Sequence, residues 1–120
     1  MYQLAHYING SHSKGTSVRT GDVLNPATGE VQGQCPLATK SEVDEAIEIA
    51  AKAQPAWAAV NPQRRSRVMM KFVELLNRDM QKLAEALSRE HGKTLPDAAG
   101  DVQRGLEVVE FCIGAPHHLK

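Results

Sequence analysis

The sequence predicts an extended β unit over residues 1–40 followed by three main α-helices in one incomplete domain over 41–120. Turn-forming Gly, Asn and Pro residues separate short extended segments in the first 40 residues. Apolar residues then recur at steps of three and four, which is the periodicity of a helix with one buried face. Capping signals at Ser41, Asn61 and Thr94 divide this later part into three helices.

The composition excludes several classes of protein. The 120 residues carry 14 acidic and 14 basic side chains, so the net charge of zero predicts no general attraction to nucleic acid or anionic membranes. Hydrophobic residues make up 42% and aromatic residues only 4%, and many of the apolar residues are alanine. We therefore expect thin helix-packing surfaces instead of a deep core.

No export or membrane segment is visible in the sequence. The first residues lack a basic region followed by an apolar stretch, and no apolar run approaches the ~20 residues of a membrane helix. Two cysteines, Cys35 and Cys112, fit a reducing compartment better than a disulfide scaffold. We expect a cytoplasmic protein that binds neither nucleic acid nor membranes.

Turn chemistry organises the β unit. A short strand is expected over 4–8, ended by Asn9-Gly10, with an exposed connection over 11–15. Two extended segments, within 16–24 and 31–37, flank the turn Asn-Pro-Ala-Thr-Gly-Glu at 25–30. The pattern predicts an antiparallel β unit around this turn.

The first helix is predicted over 41–60, with Ser41 as its cap and an apolar stripe that includes Val43 and Ile47. Pro55 indicates a kink or break before Trp57. We interpret Trp57 as a packing anchor, the alternative being a stacking group for a base or nicotinamide.

The second helix is predicted from Asn61-Pro62 to about His91, with a loosening or restart at Asn77-Arg78-Asp79. Four basic residues lie near its beginning. Positive charge there opposes the helix dipole, so a solvated face or subunit contact is favoured over a phosphate site. These basic residues are Arg64, Arg65, Arg67 and Lys71.

The third helix is predicted over about 96–113. Gly92 is suited to end the preceding helix, and Thr94 can cap the new one. Val102, Leu106 and Val109 recur at helical spacing and mark the buried face, and Gly114 ends the helix.

Arg104 lies away from that buried face, and two interpretations of it stay open. It is either a solvated arginine or an arginine held near the start of the helix to bind an anion. Gly105, the next residue, would let a ligand or another segment approach the backbone. The spacing does not decide between the two.

The sequence assigns no catalytic, cofactor-binding or metal-binding residue. Cys35 precedes a proline in an extended segment, has no accompanying base, and is interpreted as structural. Cys112 has no evident partner, and the adjacent His117 and His118 lack further ligand-type neighbours for zinc. No glycine-rich phosphate loop follows a strand, because the spaced glycines at 100–105 lie within the third helix pattern.

The segment from 90 onwards resembles the aldehyde dehydrogenase superfamily. Glu90, Gly92, Lys93 and Asp101 match the superfamily pattern of Glu-x-Gly-Lys followed by a turn and a helix with an early acidic residue. Residues 92–110 also fit throughout a longer pattern typical of its methylmalonate-semialdehyde branch. The turn at 25–30 and the Ile-Asn-Gly at 8–10 are similar to elements that open many members.

The resemblance implies an α/β, Rossmann-like fold in the complete enzyme, with 41–120 as a helical part of its nucleotide-binding domain. It also implies oxidation of methylmalonate or malonate semialdehyde with NAD and coenzyme A, giving propionyl- or acetyl-coenzyme A and carbon dioxide, as in valine catabolism. In that branch the arginine matching Arg104 binds the substrate carboxylate. The resemblance covers essentially the whole chain but only about the first quarter of a typical member.

The catalytic cysteine and nucleotide contacts of the family come later in its chains, so this chain alone is expected to be inactive and to bind no cofactor. The resemblance therefore implies a truncated enzyme whose partner is the remainder of the dehydrogenase, in a homo-oligomer. Two alternatives stay open. One is a fragment of another aldehyde dehydrogenase, such as a succinate-semialdehyde enzyme, and the other is a non-catalytic helical assembly module.

Overall fold

The structure, a computed structural model, describes residues 1–119, which form a β unit followed by three helices as the sequence predicts. The chain divides into two compact units, residues 1–59 and residues 60 onwards. The first helix is thus grouped with the strands, whereas the sequence division at 40/41 placed it with the later helices. Each unit is described separately below.

The first unit contains two small sheets. In one, the strand order is β1-β5-β4, with β1 parallel and β4 antiparallel to β5, and in the other β2 pairs antiparallel with β3. The strands are β1 (Tyr2–Gln3), β2 (His6–Ile8), β3 (Ser11–Ser13), β4 (Thr20–Leu24) and β5 (Val31–Pro36).

The turn between β4 and β5 confirms the predicted antiparallel unit. The Asn25 side chain accepts a hydrogen bond from the backbone N–H of Ala27 at 2.9 Å, and the Asn25 N–H donates to the Glu30 carbonyl at 2.8 Å. Gly29 has a φ of 73°, which glycine adopts without steric cost. Local side-chain-to-backbone bonding therefore closes this turn.

The strand expected over 4–8 is confirmed for His6–Ile8, whereas the connection expected over 11–15 is wrong for Ser11–Ser13, which forms β3. A separate strand, Tyr2–Gln3, precedes it and pairs with β5, while His6–Ile8 pairs with β3. Asn9 and Gly10 have φ values of 53° and 75°, which suit a tight hairpin turn, so the chain returns as a strand where a connection was expected.

Helix α1 (Lys40–Ala59) differs from the sequence prediction at its N-terminal cap and at Pro55. Its N-terminus is capped by Thr39 and not by Ser41, since the Thr39 hydroxyl accepts from the Glu42 N–H at 3.3 Å and the Glu42 carboxylate accepts from the Thr39 N–H at 2.7 Å. This reciprocal pair is a capping box. The helix also continues through Pro55, so the predicted break is absent.

Helix α2 (Pro62–His91) begins and ends as predicted. The Asn61 side chain accepts from the Gln63 N–H at 2.9 Å, and Gly92 ends the helix with a left-handed φ of 83°. The restart expected at Asn77-Arg78-Asp79 is wrong, because the helix runs unbroken through it. Asn77 instead donates its side-chain amide to the Val73 carbonyl at 3.1 Å.

Helix α3 (Leu95–Ile113) packs against α2 in the second unit and is followed by a short 3-10 turn over Ala115–His118. The buried apolar side chains of the described residues are Ala84 of α2 and Ala98 and Leu106 of α3. The core is as thin as the composition predicts. Among residues 1–119, no helix combines the length and apolarity required to cross a bilayer.

Candidate functional site

The connection between α2 and α3 holds Lys93 against the beginning of α3. The Gly92 N–H donates to the Ser88 carbonyl at 2.8 Å, and the Ser88 hydroxyl donates to the Lys93 carbonyl at 2.7 Å. The Thr94 hydroxyl then caps α3 by accepting from the Asp97 N–H at 3.3 Å. Hydrogen bonds on both sides therefore fix the backbone at Lys93.

Three charged side chains meet at this point. Lys93 donates through Nζ to Asp101 Oδ2, and Arg104 donates through Nη1 to Asp101 Oδ1 at 2.8 Å. The side chains of Lys93, Asp101 and Arg104 are 21%, 35% and 77% exposed. We call these three residues the α3 charge cluster.

The electrostatics of the cluster keep Asp101 ionised. The hydrogen bond from Lys93 lowers the pKa of the Asp101 carboxyl, and partial desolvation offsets part of this effect. The positive charges of Lys93 and Arg104 lower it further. Asp101 is therefore a carboxylate shared between two cations, with one oxygen facing each.

A groove of about 270 Å³ lies beside the cluster, at the start of α3. A Cβ atom added at Gly100, which lines the groove, would meet no atom within 4 Å, and the same is true at Gly105. Both glycines therefore leave open space on this helix. The groove is lined by Lys93, Pro96, Asp97, Gly100, Asp101 and Arg104.

This geometry agrees with both interpretations of Arg104. Its 77% exposure agrees with a solvated arginine, and its place at the edge of an open groove agrees with an anion-binding arginine. The role of Arg104 therefore stays a proposal.

The two cysteines lie in different units. Cys35 is half-buried on β5, and Cys112 is exposed near the end of α3. His118 stacks on Phe111, with ring centroids 6.0 Å apart. Within residues 1–119, His, Cys, Asp and Glu side chains do not gather in a group of three that would hold a metal ion.

The basic residues at the start of α2 differ from one another. Arg64 and Arg67 are exposed, and Lys71 pairs with Glu74 at 2.5 Å. Arg65 is half-buried, and its Nε atom is buried without a hydrogen-bond partner among the described residues. Arg65 therefore does not lie on a solvated face, whereas the alternative of a subunit contact stays a prediction.

Sequence reasoning missed the α3 charge cluster as a unit. The Asp101–Arg104 pair has the i, i+3 spacing of neighbours on a helix and was available as a signal. The Lys93–Asp101 pair spans eight residues and crosses the turn at Gly92, so helical spacing alone does not predict it.

The β unit followed by three helices matches a part of the fold that solved aldehyde dehydrogenases share. The chain belongs to the aldehyde dehydrogenase family, whose sequence profile matches residues 12–120.

Curated relatives of known sequence carry a more specific name. The chain is 46% identical over 114 residues to a malonate-semialdehyde dehydrogenase of Listeria monocytogenes, covering 95% of this chain and 23% of that protein. It is 42% identical over 120 residues to a malonate-semialdehyde dehydrogenase of Pseudomonas aeruginosa, covering 100% of this chain and 24% of that protein. The chain thus spans about a quarter of the length of these relatives.

Solved structures share the fold. A protein of Sinorhizobium meliloti, provisionally assigned as a methylmalonate-semialdehyde dehydrogenase and solved with NAD, is 60% identical, with a TM-score of 0.96 over 100% of this chain and 24% of that one. An aldehyde dehydrogenase of Physcomitrella patens, solved with its reaction product succinate, is 27% identical with a TM-score of 0.87, over 99% of this chain and 24% of that one.

Three glycines with positive φ and the start of α1 do not form a cradle for the pyrophosphate of NAD. A cradle for pyrophosphate requires free backbone N–H groups, commonly at a helix that follows a glycine-rich turn. Gly10 and Gly29 instead lie in hairpin turns, and Gly92 ends a helix. At the start of α1, the helix that follows β5, the Glu42 N–H already donates to the Thr39 hydroxyl.

Proposed function

We propose that this chain supplies the carboxylate-recognition part of a malonate- or methylmalonate-semialdehyde dehydrogenase. The observation that carries the proposal is Arg104, placed at the edge of the groove and held by Asp101. A semialdehyde of this class carries a carboxylate beside its aldehyde, and arginine is the side chain best suited to bind a carboxylate.

The reaction of the complete enzyme is the oxidation of the semialdehyde with NAD and coenzyme A to acetyl- or propionyl-coenzyme A and carbon dioxide. The names of the Listeria, Pseudomonas and Sinorhizobium relatives support the substrate class. The Sinorhizobium complex supports NAD as the oxidant. Coenzyme A follows from the resemblance over residues 92–110.

The part of this chain in that reaction is binding and orientation. Arg104 donates through Nη1 to Asp101, and its side chain makes no other hydrogen bond within residues 1–119. The edge formed by Nε and Nη2 is thus available for a substrate carboxylate. A charge-assisted, two-point contact at that edge would fix the aldehyde carbon at a set distance from the arginine.

The remaining residues of the enzyme come from outside this chain. We propose that its partner is the rest of a dehydrogenase chain, assembled as a homo-oligomer in the cytoplasm. The 120 residues alone would then be inactive and bind neither NAD nor coenzyme A. The proposal is supported by the one-quarter coverage of the relatives.

A succinate-semialdehyde dehydrogenase is the second candidate. It is supported by the Physcomitrella structure, which was solved with succinate as the reaction product and which covers 99% of this chain. Its lower identity, 27% against 60% for the Sinorhizobium protein, makes it the weaker candidate.

The test is a full-length enzyme in which residues 1–120 of this chain replace the matching quarter of the Sinorhizobium protein. The 60% identity over the whole chain makes this exchange conservative. Arg104→Ala should raise the KM for malonate semialdehyde roughly 10–100-fold, since a charged hydrogen bond contributes ~1.5–3 kcal/mol. The KM for propanal, which has no carboxylate, should change little.

The matched control is Arg64→Ala, which removes an exposed arginine outside the groove and should leave both KM values unchanged. An unchanged KM for malonate semialdehyde in Arg104→Ala would remove Arg104 from the site. A folded chimera that prefers succinate semialdehyde would favour the second candidate. A folded chimera that binds NAD and oxidises neither semialdehyde would contradict both.

A further inference from the structure

We infer that Lys93 and Asp101 act together as positioning residues that hold Arg104 ready for a carboxylated aldehyde and so set the preference for it over uncharged aldehydes. The inference rests on the proposed function, because it concerns the way in which Arg104 recognises its substrate. It assigns a role to two side chains that would otherwise count only as parts of a structural ion pair.

The first step is geometric. Asp101 Oδ1 accepts from Arg104 Nη1 at 2.8 Å, whereas Asp101 Oδ2 accepts from Lys93 Nζ. A carboxylate held at both oxygens cannot rotate freely, so it restrains the direction of the guanidinium that donates to it through Nη1. An arginine side chain with 77% exposure would otherwise sample many rotamers.

The second step concerns charge. A lone carboxylate beside Arg104 would cancel much of the positive charge that a substrate carboxylate needs. Lys93, the least exposed member of the cluster at 21%, supplies a second positive charge to the same Asp101. Arg104 therefore keeps net attraction for an incoming anion while Asp101 still orients it.

The third step is the anchoring of Lys93 itself. Its backbone lies between the left-handed Gly92 and the cap residue Thr94, and its carbonyl accepts from Ser88 at 2.7 Å. The cluster is thus tied to the connection between two helices and not to a loose surface loop. Hydrogen bonds to fixed backbone reduce the freedom lost when substrate binds.

The fourth step is room for the ligand. The groove beside the cluster has a volume of about 270 Å³, and the space above Gly100 holds no atom within 4 Å of an added Cβ. Gly100 lies one helical turn before Arg104, so a ligand bound at the guanidinium would lie over this glycine. A larger residue at position 100 would narrow the path of a ligand to the Arg104 guanidinium.

The experiment uses the full-length chimera and compares kcat/KM for malonate semialdehyde with kcat/KM for propanal. This ratio is independent of the concentration of active enzyme, so a loss of folded protein does not change it. The double variant Lys93→Met/Asp101→Asn removes one positive and one negative charge and keeps the net charge of the groove. We expect it to lower the ratio about tenfold, as for the loss of one charge-assisted hydrogen bond.

A second variant, Asp101→Glu, keeps the charge and lengthens the side chain by one methylene group. It should displace Arg104 and lower the same ratio by a smaller factor. The matched control is Asp79→Glu, the same substitution at a carboxylate of α2 that is also paired with an arginine and a lysine, Arg78 and Lys82, and that does not line the groove. It should leave the ratio unchanged.

The outcomes separate this inference from the proposed function. If Arg104→Ala lowers the ratio while the double variant and Asp101→Glu leave it unchanged or raise it, Lys93 and Asp101 are only structural and the inference is overturned. If Arg104→Ala also leaves the ratio unchanged, the proposed function itself fails. A ratio lowered by both cluster variants and not by Asp79→Glu supports the positioning role.

Discussion

The two units of the molecule differ in how far they bury the apolar stripe of a helix. In the first unit, α1 has no buried residue, and its stripe residues Val43, Ile47 and Trp57 are 46%, 61% and 46% exposed. In the second unit, α3 buries Ala98 and Leu106 to 0% and 3% exposure against α2. Both stripes were predicted from the same helical periodicity.

The difference shows what periodicity measures. A repeat of three and four residues identifies the side of a helix that is suited to burial, but a core forms only where a partner helix covers that side. The second unit contains such a partner. In the first unit, polar contacts connect helix to loop instead, since Glu42 of α1 accepts hydrogen bonds from Thr16 and Thr39.

The largest effect is expected at the core of the second unit. Leu106→Ala should lower the free energy of unfolding of this unit by roughly 2–5 kcal/mol, because it removes buried methyl groups and leaves a cavity. Urea unfolding followed by far-ultraviolet circular dichroism measures the change, while the fluorescence of Trp57 reports on the first unit. The fluorescence transition should keep its midpoint.

The matched substitution in the other unit is Ile47→Ala. Because this side chain is 61% exposed, the substitution should lower the free energy of unfolding by no more than about 0.5 kcal/mol. A cost equal to that of Leu106→Ala would mean that the α1 stripe is covered in solution, and the contrast between the units would disappear.

The same contrast explains how much of the fold could be predicted. Helices α2 and α3 were predicted well because their ends carry local signals, namely Asn61, Gly92 and Thr94. The start of α1 was placed one residue late because Ser41 was chosen as the cap over Thr39, although Thr39-x-x-Glu42 is a readable capping box. The parallel pairing of β1 with β5 joins distant residues, and no local pattern predicts it.

The candidate site was predictable only in part. Arg104 was identified from the sequence, first by its position off the apolar face and then by resemblance. Its contact with Asp101 follows from helical spacing, whereas the contact of Lys93 depends on the direction that the chain takes after Gly92. A left-handed residue redirects the backbone, so neighbours across it cannot be read from periodicity.

A smaller effect is expected at the beginning of α3. Thr94→Ala should lower the free energy of unfolding of the second unit by about 1 kcal/mol, since the Asp97 N–H loses its side-chain acceptor. The same circular dichroism measurement detects it. Thr94→Ser keeps the hydroxyl and should be close to wild type, and an equal loss in both variants would rule out the capping hydroxyl as the cause.

The last prediction concerns the dependence of the first unit's stability on pH, and it depends on Glu42. Hydrogen bonds from the backbone N–H groups of Thr39 and Thr16 lower the pKa of Glu42 to about 2, from 4.5 without these bonds. The folded pKa is the lower one, so the stabilisation is fully present above pH 4.5 and is lost as the pH falls toward 2.

The first unit should therefore lose stability as the pH is lowered through this window, and the loss should be visible as a fall in the urea midpoint of the Trp57 fluorescence transition. Glu42→Gln cannot ionise and should show a smaller dependence on pH over the same range. The amide resonances of Thr16 and Thr39 should shift with the titration in the wild-type chain only. Equal pH dependence in the two chains would show that other groups govern the acid sensitivity of this unit, and that polar contacts at Glu42 do not replace the missing apolar core.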